Sequence, residues 1–360
     1  MIAYFLILAV IGLEYLVIKY KNNNNAIFVT FACVTLIVFS AARGEHVGAD
    51  NAHYLSAYHI LRDIHGIDVF TYKMPWSIDF EPGYLMLNRI LAFFQLNDFM
   101  FQLIISSIIY IPVFLTIYRY SDHQFISILV YFAFGLYAHS LGLQRQLIAV
   151  SIVILGMKYI SDRRFVRYAI YVVIASLFHV SAMFMIALFF LYKIKISKKS
   201  LVILIGIEFF MLFFSRNILN IVFRIFPSYK HYTDTEQFTS GGSYFRLMCL
   251  TAIVILAFFF YERLNITDAK KVTIDAAALS IIIQPVAYSF GLMGRVMDYT
   301  IVFLIVLVPM LVEIFEDSAK HLVTYLMIVL LLVMIYINLN GNIYVCPYYT
   351  MFKEYSIVAN

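Results

Sequence analysis

Apolar runs long enough to cross a bilayer follow one another along almost the whole chain, separated by short polar connections. They fall at about 2–18, 26–42, 100–118, 124–140, 141–157, 200–222, 244–261, 272–291, 297–315 and 320–338. Hydrocarbon offers no partner to a free backbone N–H or C=O, so each run is expected to be a helix. Period-two alternation is absent, which argues against a β-barrel. The segment 84–97 is shorter and amphipathic and reads as an interfacial or re-entrant helix. The stretch 168–192 fits two descriptions. It is either a re-entrant hairpin with Phe178-His179-Val180-Ser181 at its tip, or one long span with His179 in mid-membrane. The expected fold is all-α and polytopic, with about 10–12 transmembrane or re-entrant helices in a single integral membrane domain over 1–360.

The polar connections set an orientation. The segments Lys19–Asn25, Arg119–His123, Lys158–Arg167, Lys193–Lys199, Glu262–Lys271 and Glu316–Lys320 hold 15 of the 26 Lys and Arg residues in 44 positions. Basic short loops stay cytoplasmic. If all six do so, both termini and the Arg43–Pro82 loop face outward. Within that loop, an amphipathic helix is expected over about 51–65, with Asp50 as N-cap and Gly66 as its stop. Its Tyr54, Tyr58 and Leu61 share one face and should pack on the bundle. A second outer loop runs from about 225 to 243, marked by Pro227 and Gly241-Gly242.

Composition supports the membrane assignment and narrows the chemistry. The chain has 360 residues, 63% of them hydrophobic and 13% charged, with mean hydropathy +0.87; soluble domains carry roughly 25% charged residues. The net charge of +5 is modest and comes with no basic arm or helix suited to nucleic acid. Cys33, Cys249 and Cys346 are scattered, forming neither a disulfide framework nor a metal set. The start, Met1-Ile2-Ala3-Tyr4-Phe5, lacks a basic n-region and a following cleavage site, so an uncleaved first span is expected. The histidines His46, His53, His59 and His65 lack the spacing of a helical metal site, and no cofactor is expected. No Ser-His-Asp arrangement, phosphate-binding glycine loop or dinucleotide fingerprint is present. The basic connections are too short to build a nucleotide pocket.

The remaining polar residues gather at one end of the runs: Arg43, His46, Asp50, Glu81, His139, Arg145, Arg246, Arg295 and Asp298, with His179 joining them if the hairpin forms. A charge inside the membrane costs about 2.5–3.5 kcal/mol on the insertion scale, so such residues mark function. Several also have plain structural readings. Arg43 could snorkel to headgroups; Glu81-Pro82 is a good helix start; Arg295 could pair with Asp298. Arg145 lacks such a reading, because it opens a span between Gln144 and Gln146 with no acidic neighbour. Outer-loop Tyr residues and Trp76 could stack on sugar rings.

In these elements the chain resembles the EpsG-type exopolysaccharide polymerases, a branch of the Wzy-like bacterial membrane polymerases. The matching segments are Arg43-Gly44, then Gly48-Ala49-Asp50 and Tyr54; Glu81-Pro82-Gly83-Tyr84; Leu143-Gln144-Arg145-Gln146 leading into Ala149; and Ala175-Ser176-Leu177-Phe178-His179-Val180-Ser181-Ala182. The basic turn Tyr159-Ile160-Ser161-Asp162-Arg163-Arg164 lies between the last two. The resemblance covers about residues 1–192. Beyond that, only the spans and an arginine near the outer surface agree. It implies a GT-C-like membrane glycosyltransferase bundle that joins undecaprenyl-diphosphate-linked oligosaccharide units on the outer face of the bacterial inner membrane. The product would be an O-antigen, capsule or exopolysaccharide, and a chain-length regulator protein is a further implied partner. On this reading Arg145, Arg295 and Arg43 bind the lipid diphosphate, and Glu81, His179 or Asp50 takes the acceptor proton. Gln146, Tyr54 and Tyr84 contact the glycan or order the loop. Another lipid-linked glycosyltransferase, an O-antigen ligase and a flippase remain as alternatives.

Overall fold

The computed structural model describes residues 1–21, 24–64, 68, 72, 80–225, 244–264, 266–290 and 293–352. The chain is an all-α, multi-pass membrane protein. Its helices are α1 (Ile2–Lys21), α2 (Asn25–Ala41), α3 (Asn51–Asp63), α4 (Pro82–Phe93), α5 (Asp98–Tyr120), α6 (Gln124–Ala133), α7 (Leu136–Gly142), α8 (Gln144–Leu155) and α9 (Met157–Ser161). Then follow α10 (Phe165–Ser176), α11 (Ile186–Leu191), α12 (Lys198–Ile225), α13 (Tyr244–Phe259), α14 (Asp268–Ser289), α15 (Met293–Ile301), α16 (Leu304–Val312) and α17 (Asp317–Leu339). His65, Gly66, Trp76, Pro227, Gly241 and Gly242, and nearly all of the expected loop 225–243, lie outside the described residues.

Five described helices are long and apolar enough to span a bilayer: α1, α5, α12, α14 and α17. Two bent pairs raise the number to seven. The expected 10–12 transmembrane or re-entrant helices also include shorter apolar helices, α2, α10 and α13 among them, and some of the apolar runs are bent rather than straight. The run 124–140 breaks by 61° between α6 and α7, at Gly135, whose φ of +84° is left-handed. The run 297–315 breaks by 50° between α15 and α16. The run 141–157 ends α8 at Gly156, and the run 26–42 yields a helix of 17 residues.

Burial sorts the helices into centre and perimeter. The apolar window of α14 is 72% buried and that of α5 56%, whereas α1 and α12 are each 17% buried. Exposed apolar side chains such as Leu13, Phe213 and Tyr325 therefore form the lipid-facing belt. The stretch 168–192 turns back on itself. α10 runs to Ser176, the chain reverses through Leu177–His179, and the 3₁₀ helix Val180–Met185 with α11 returns beside it. The Tyr168 hydroxyl donates to Met185 O at 2.7 Å, and Phe165 packs against Phe189 and Phe190. A single long span with His179 in mid-helix is thereby replaced by the hairpin.

The two ends of the bundle differ chemically. At one end the basic connections meet: Lys270 pairs with Asp122, Tyr192 with Asp268, and Lys320 with Glu313, while Tyr15 and Lys19 lie beside His123. At the other end sit the Arg43–Asp50 loop, α3, the starts of α4 and α8, the hairpin tip and a strap formed by residues 340–352. This strap, following α17, is tied across the opposite end of α1 and α2. The Tyr4 hydroxyl donates to Val345 O, Gly44 N–H to Tyr349 O, and Met351 N–H to Ala42 O. α3 buries Tyr54, Tyr58 and Leu61 against the bundle.

Two glycines let this end close. A Cβ on Gly48, whose φ is +112°, would lie 2.2 Å from Leu141 O; one on Gly142 would lie 2.4 Å from Ala49 N. The loop backbone therefore rests directly on the end of α7. Gly48→Ala combines a steric clash with a left-handed φ. It is expected to lower stability by at least about 1–3 kcal/mol, read as a lower thermal midpoint of the detergent-solubilised protein.

Candidate active site

Glu81, Arg145 and His179 come from α4, α8 and the hairpin tip and meet at the end opposite the basic connections. Pro82 at the first helical position of α4 fixes the chain direction, yet the Glu81 side chain makes no capping bond. Its carboxylate instead accepts from Arg145 Nη1 at 2.5 Å through Oε2 and from His179 Nδ1 at 2.9 Å through Oε1. An ionised carboxylate only accepts, so Nδ1 carries a proton, and in the neutral imidazole Nε2 then holds the lone pair. Among the described residues Nε2 has no hydrogen-bond partner. Burial pushes the Glu81 carboxyl up, but the His179 hydrogen bond and the Arg145 guanidinium outweigh it, and the group sits below the ordinary carboxylate value. Glu81 is thus an anion that orients its neighbours.

Arg145 is fixed on three sides. Besides the Glu81 bond, its Nε donates to the Tyr54 hydroxyl at 3.4 Å and its guanidinium lies 4.7 Å from the Phe80 ring centroid. Side-chain exposure is 12% for Arg145 and 17% for both Glu81 and His179, enough for contact with a substrate but not for free hydration. The hairpin explains the depth. α10 has 12 residues and so rises about 18 Å from the basic end, short of the roughly 30 Å hydrocarbon core.

A second group lies beside the first. Asp298, fully buried, accepts from His139 Nδ1 at 2.9 Å and from Gln146 Nε2 at 2.5 Å. The expected Arg295–Asp298 pair is not formed, because His139 and Gln146 occupy the carboxylate. Gln146 also donates to Arg295 O at 2.8 Å, which joins α8 to α15. It is the immediate neighbour of Arg145, so one turn of α8 serves both groups.

The structure relocates several expected contacts. Arg43 is turned into the protein interior. It is 1% exposed, and its guanidinium donates to Leu141 O, Ser40 O and Asn51 Oδ1. Asn51 Oδ1 also accepts from Gln144 Nε2, and Gln144 Oε1 accepts from the fully buried Tyr84 hydroxyl. Tyr84 is thus part of a buried network joining α2, α3, α4 and α8. Tyr54, stacked on Phe80, positions Arg145. Asp50 keeps the N-cap position of α3, but its side chain makes no capping bond.

Nothing in the linear pattern assigned roles to Asn51, Gln144, the strap or the His139–Asp298 pair. The polar run Asn340-Gly341-Asn342 after the last span was the available signal for the strap. Among the described residues no three His, Cys, Asp or Glu side chains converge as a metal site.

The sequence model of the EpsG family matches residues 26–353. The chain belongs to the EpsG family. This match extends well past residue 192, so α12 to α17 and the strap are family structure as well. EpsG proteins are Wzy-like exopolysaccharide polymerases, and the chain is accordingly a membrane polysaccharide polymerase. No curated protein and no solved structure matches it.

Proposed function

We propose that this EpsG-family protein joins undecaprenyl-diphosphate-linked oligosaccharide units on the outer face of the bacterial inner membrane. A hydroxyl of the incoming unit attacks the anomeric carbon of the growing glycan. The bond from that carbon to the lipid diphosphate breaks, and the diphosphate leaves with the electron pair. The hydroxyl proton passes to His179 Nε2. The donor's own phosphate bond drives the step, so no nucleotide is consumed. A surface polysaccharide such as O-antigen, capsule or exopolysaccharide results, with chain length set together with a regulator protein.

The observation that carries this reading is the Arg145–Glu81–His179 chain. A carboxylate held as an anion fixes the His179 tautomer and would stabilise the imidazolium formed on proton uptake. That arrangement favours His179 as the base over Glu81, whose own proton affinity is lowered. Asp50 lies outside the chain and is better suited to ordering the loop. Arg145 and Arg295 supply fixed positive charge where the diphosphate departs. Orientation rests on the gathering of the basic connections at the opposite end, which the positive-inside rule makes cytoplasmic.

His179→Gln in a strain lacking the native chain is expected to leave single-unit-capped surface lipid and no longer polymer, with protein abundance unchanged. Full-length polymer from this variant would remove His179 as the base. Accumulation of lipid-linked units on the cytoplasmic side in the strain lacking the chain would instead mark a flippase.

A further inference from the structure

A cavity of about 350 Å³ lies between the end of the hairpin's returning arm and helices α12, α13 and α14, at the end of the bundle where the basic connections meet. We propose that it binds one anionic glycerophospholipid, such as phosphatidylglycerol or cardiolipin, with an acyl chain in the slot and the phosphate at Lys195. The site is at the opposite end from Glu81, Arg145 and His179. Its ligand is a lipid of the surrounding bilayer, not the reacting unit, so it stands independently of the polymerase reading.

Shape is the first argument. The lining is graded along the bundle. Lys195 and Ser200 stand where α12 begins, and Asp275 lies in the half of α14 nearer the basic end. Ile203, Ile207, Phe258 and Ile282 make the apolar wall. The wall follows α12 from Ser200 to Ile207 and α14 from Asp275 to Ile282, about 10 Å of helix in each case. Ile203 is 64% exposed and Ile207 39%, so the slot opens sideways to the lipid-facing perimeter that α12 belongs to. A groove that is polar at the membrane surface, apolar below it and open to hydrocarbon has the build of a phospholipid. A soluble anion would leave the apolar wall uncovered.

Charge is the second argument. Lys193, Lys195, Lys198 and Lys199 fall within one short segment that contains no carboxylate. Lys193 and Lys198 rest on the Phe190 and Phe259 rings. The Lys195 ammonium has no carboxylate partner among the described residues. Asp275, the acid in the wall, is buried and matched by Lys271 Nζ at 2.8 Å, which also donates to Tyr192 O. That pair adds no net charge, and the lysine segment leaves the mouth cationic. The turn carrying Lys195 is set before a ligand arrives. Ser197 N–H donates to Ser200 Oγ at 2.9 Å, Ser200 N–H donates to Ser197 Oγ at 3.1 Å, and the Ser200 hydroxyl lies 2.9 Å from Lys195 O. Basic pockets between membrane helices select anionic headgroups on the cytoplasmic side, and a zwitterionic head brings no net charge to match. A lipid seated here would also brace the returning arm of the hairpin whose tip carries His179.

The test is a titration of the purified, delipidated full chain, read by native mass spectrometry as the fraction carrying lipid and by the thermal midpoint. The probes are phosphatidylglycerol, cardiolipin, phosphatidylcholine and inorganic phosphate. The wild-type chain is expected to hold the two anionic lipids at least about 5-fold more tightly than phosphatidylcholine. Its thermal midpoint should rise with them and not with inorganic phosphate. Lys195→Gln should weaken the anionic lipids about 5-fold, and Lys195→Arg should keep their affinity. Lys21→Gln, at an exposed lysine of the same end, should change nothing. Ala278→Phe, which fills the slot without altering charge, should weaken them about 10-fold. Equal affinity for phosphatidylcholine and phosphatidylglycerol, or equal losses in Lys195→Gln and Lys21→Gln, would mean diffuse surface attraction and overturn the site. Inorganic phosphate binding that depends on Lys195 and not on Ala278 would overturn the lipid in favour of a free ion. Should Ala278→Phe fail to fold, the comparison of Lys195→Gln with Lys21→Gln decides. The polymerase reading is tested separately, by His179→Gln.

Discussion

Glu81→Gln is expected to abolish polymer while the protein remains folded and inserted, a loss in polymerisation rate of roughly 10²–10⁴-fold. The substitution keeps the side-chain volume and the helix-start position of α4. It removes the anion that accepts from Arg145 Nη1 and His179 Nδ1. The carboxamide cannot hold the imidazole proton on Nδ1 with the same strength, and it gives no charge to balance an imidazolium. Arg145 loses its ion partner as well. The energetic penalty to folding should stay below the about 3–5 kcal/mol typical of a fully buried broken pair, because both side chains keep some contact with solvent. Arg145→Ala should show the same polymer defect, and the double variant should be no worse than either, since the two act as one unit. A glycan ladder on gels, normalised to membrane protein by immunoblot, measures all three. Wild-type ladder length from Glu81→Gln at normal abundance would exclude Glu81 from the reaction.

Arg43→Lys is expected to fail in the opposite manner, losing protein rather than chemistry. Arg43 reaches three acceptors in three directions, Leu141 O, Ser40 O and Asn51 Oδ1, from a site that is 1% exposed. A lysine ammonium on a narrower stem cannot meet all three in that fork geometry. Asn51 Oδ1 and Ser40 O keep other donors, so the loss falls mainly on Leu141 O; a buried acceptor left without a donor costs about 1–3 kcal/mol, a large share of the roughly 5–15 kcal/mol that separates folded from unfolded domains. The damage would spread through Asn51 to Gln144 and Tyr84, which share the network. Polymer yield should fall in step with protein abundance, and the thermal midpoint of the purified chain should drop. A variant that is abundant and thermally unaltered, yet inactive, would return Arg43 to the substrate.

The contrast between Arg43 and Arg145 shows what the linear pattern could and could not distinguish. Both arginines sit at the end of an apolar run, and membrane cost makes both stand out. Which one is locked into the interior depends on carbonyls and amides contributed by segments up to 98 residues away in sequence, and hydropathy carries no record of those contacts. His179 was legible for a different reason. Two basic connections flank a stretch too short for two full spans, so charge made a reversal near its middle one of two readings, and the fold chose it. The His139–Asp298 pair, with partners 159 positions apart, left no such trace, and Arg295 looked like the nearer partner only because it stands three positions before Asp298.

Sequence alone determined the solvent: a chain this apolar must satisfy its backbone internally, and in lipid that means helices. It also determined which end carries the basic connections and which carries the unusual polar residues. Tertiary structure decided how those polar residues are divided among the buried Arg43–Asn51–Gln144 network, the Arg145–Glu81–His179 cluster and the His139–Asp298–Gln146 group. The cause is physical. Hydrophobicity and positive charge act on each segment separately and can be summed along the chain. A hydrogen bond or ion pair exists only when two distant segments are brought within about 3 Å at the right angle, and helix bends such as those after Ala133 and Ile301 set that distance.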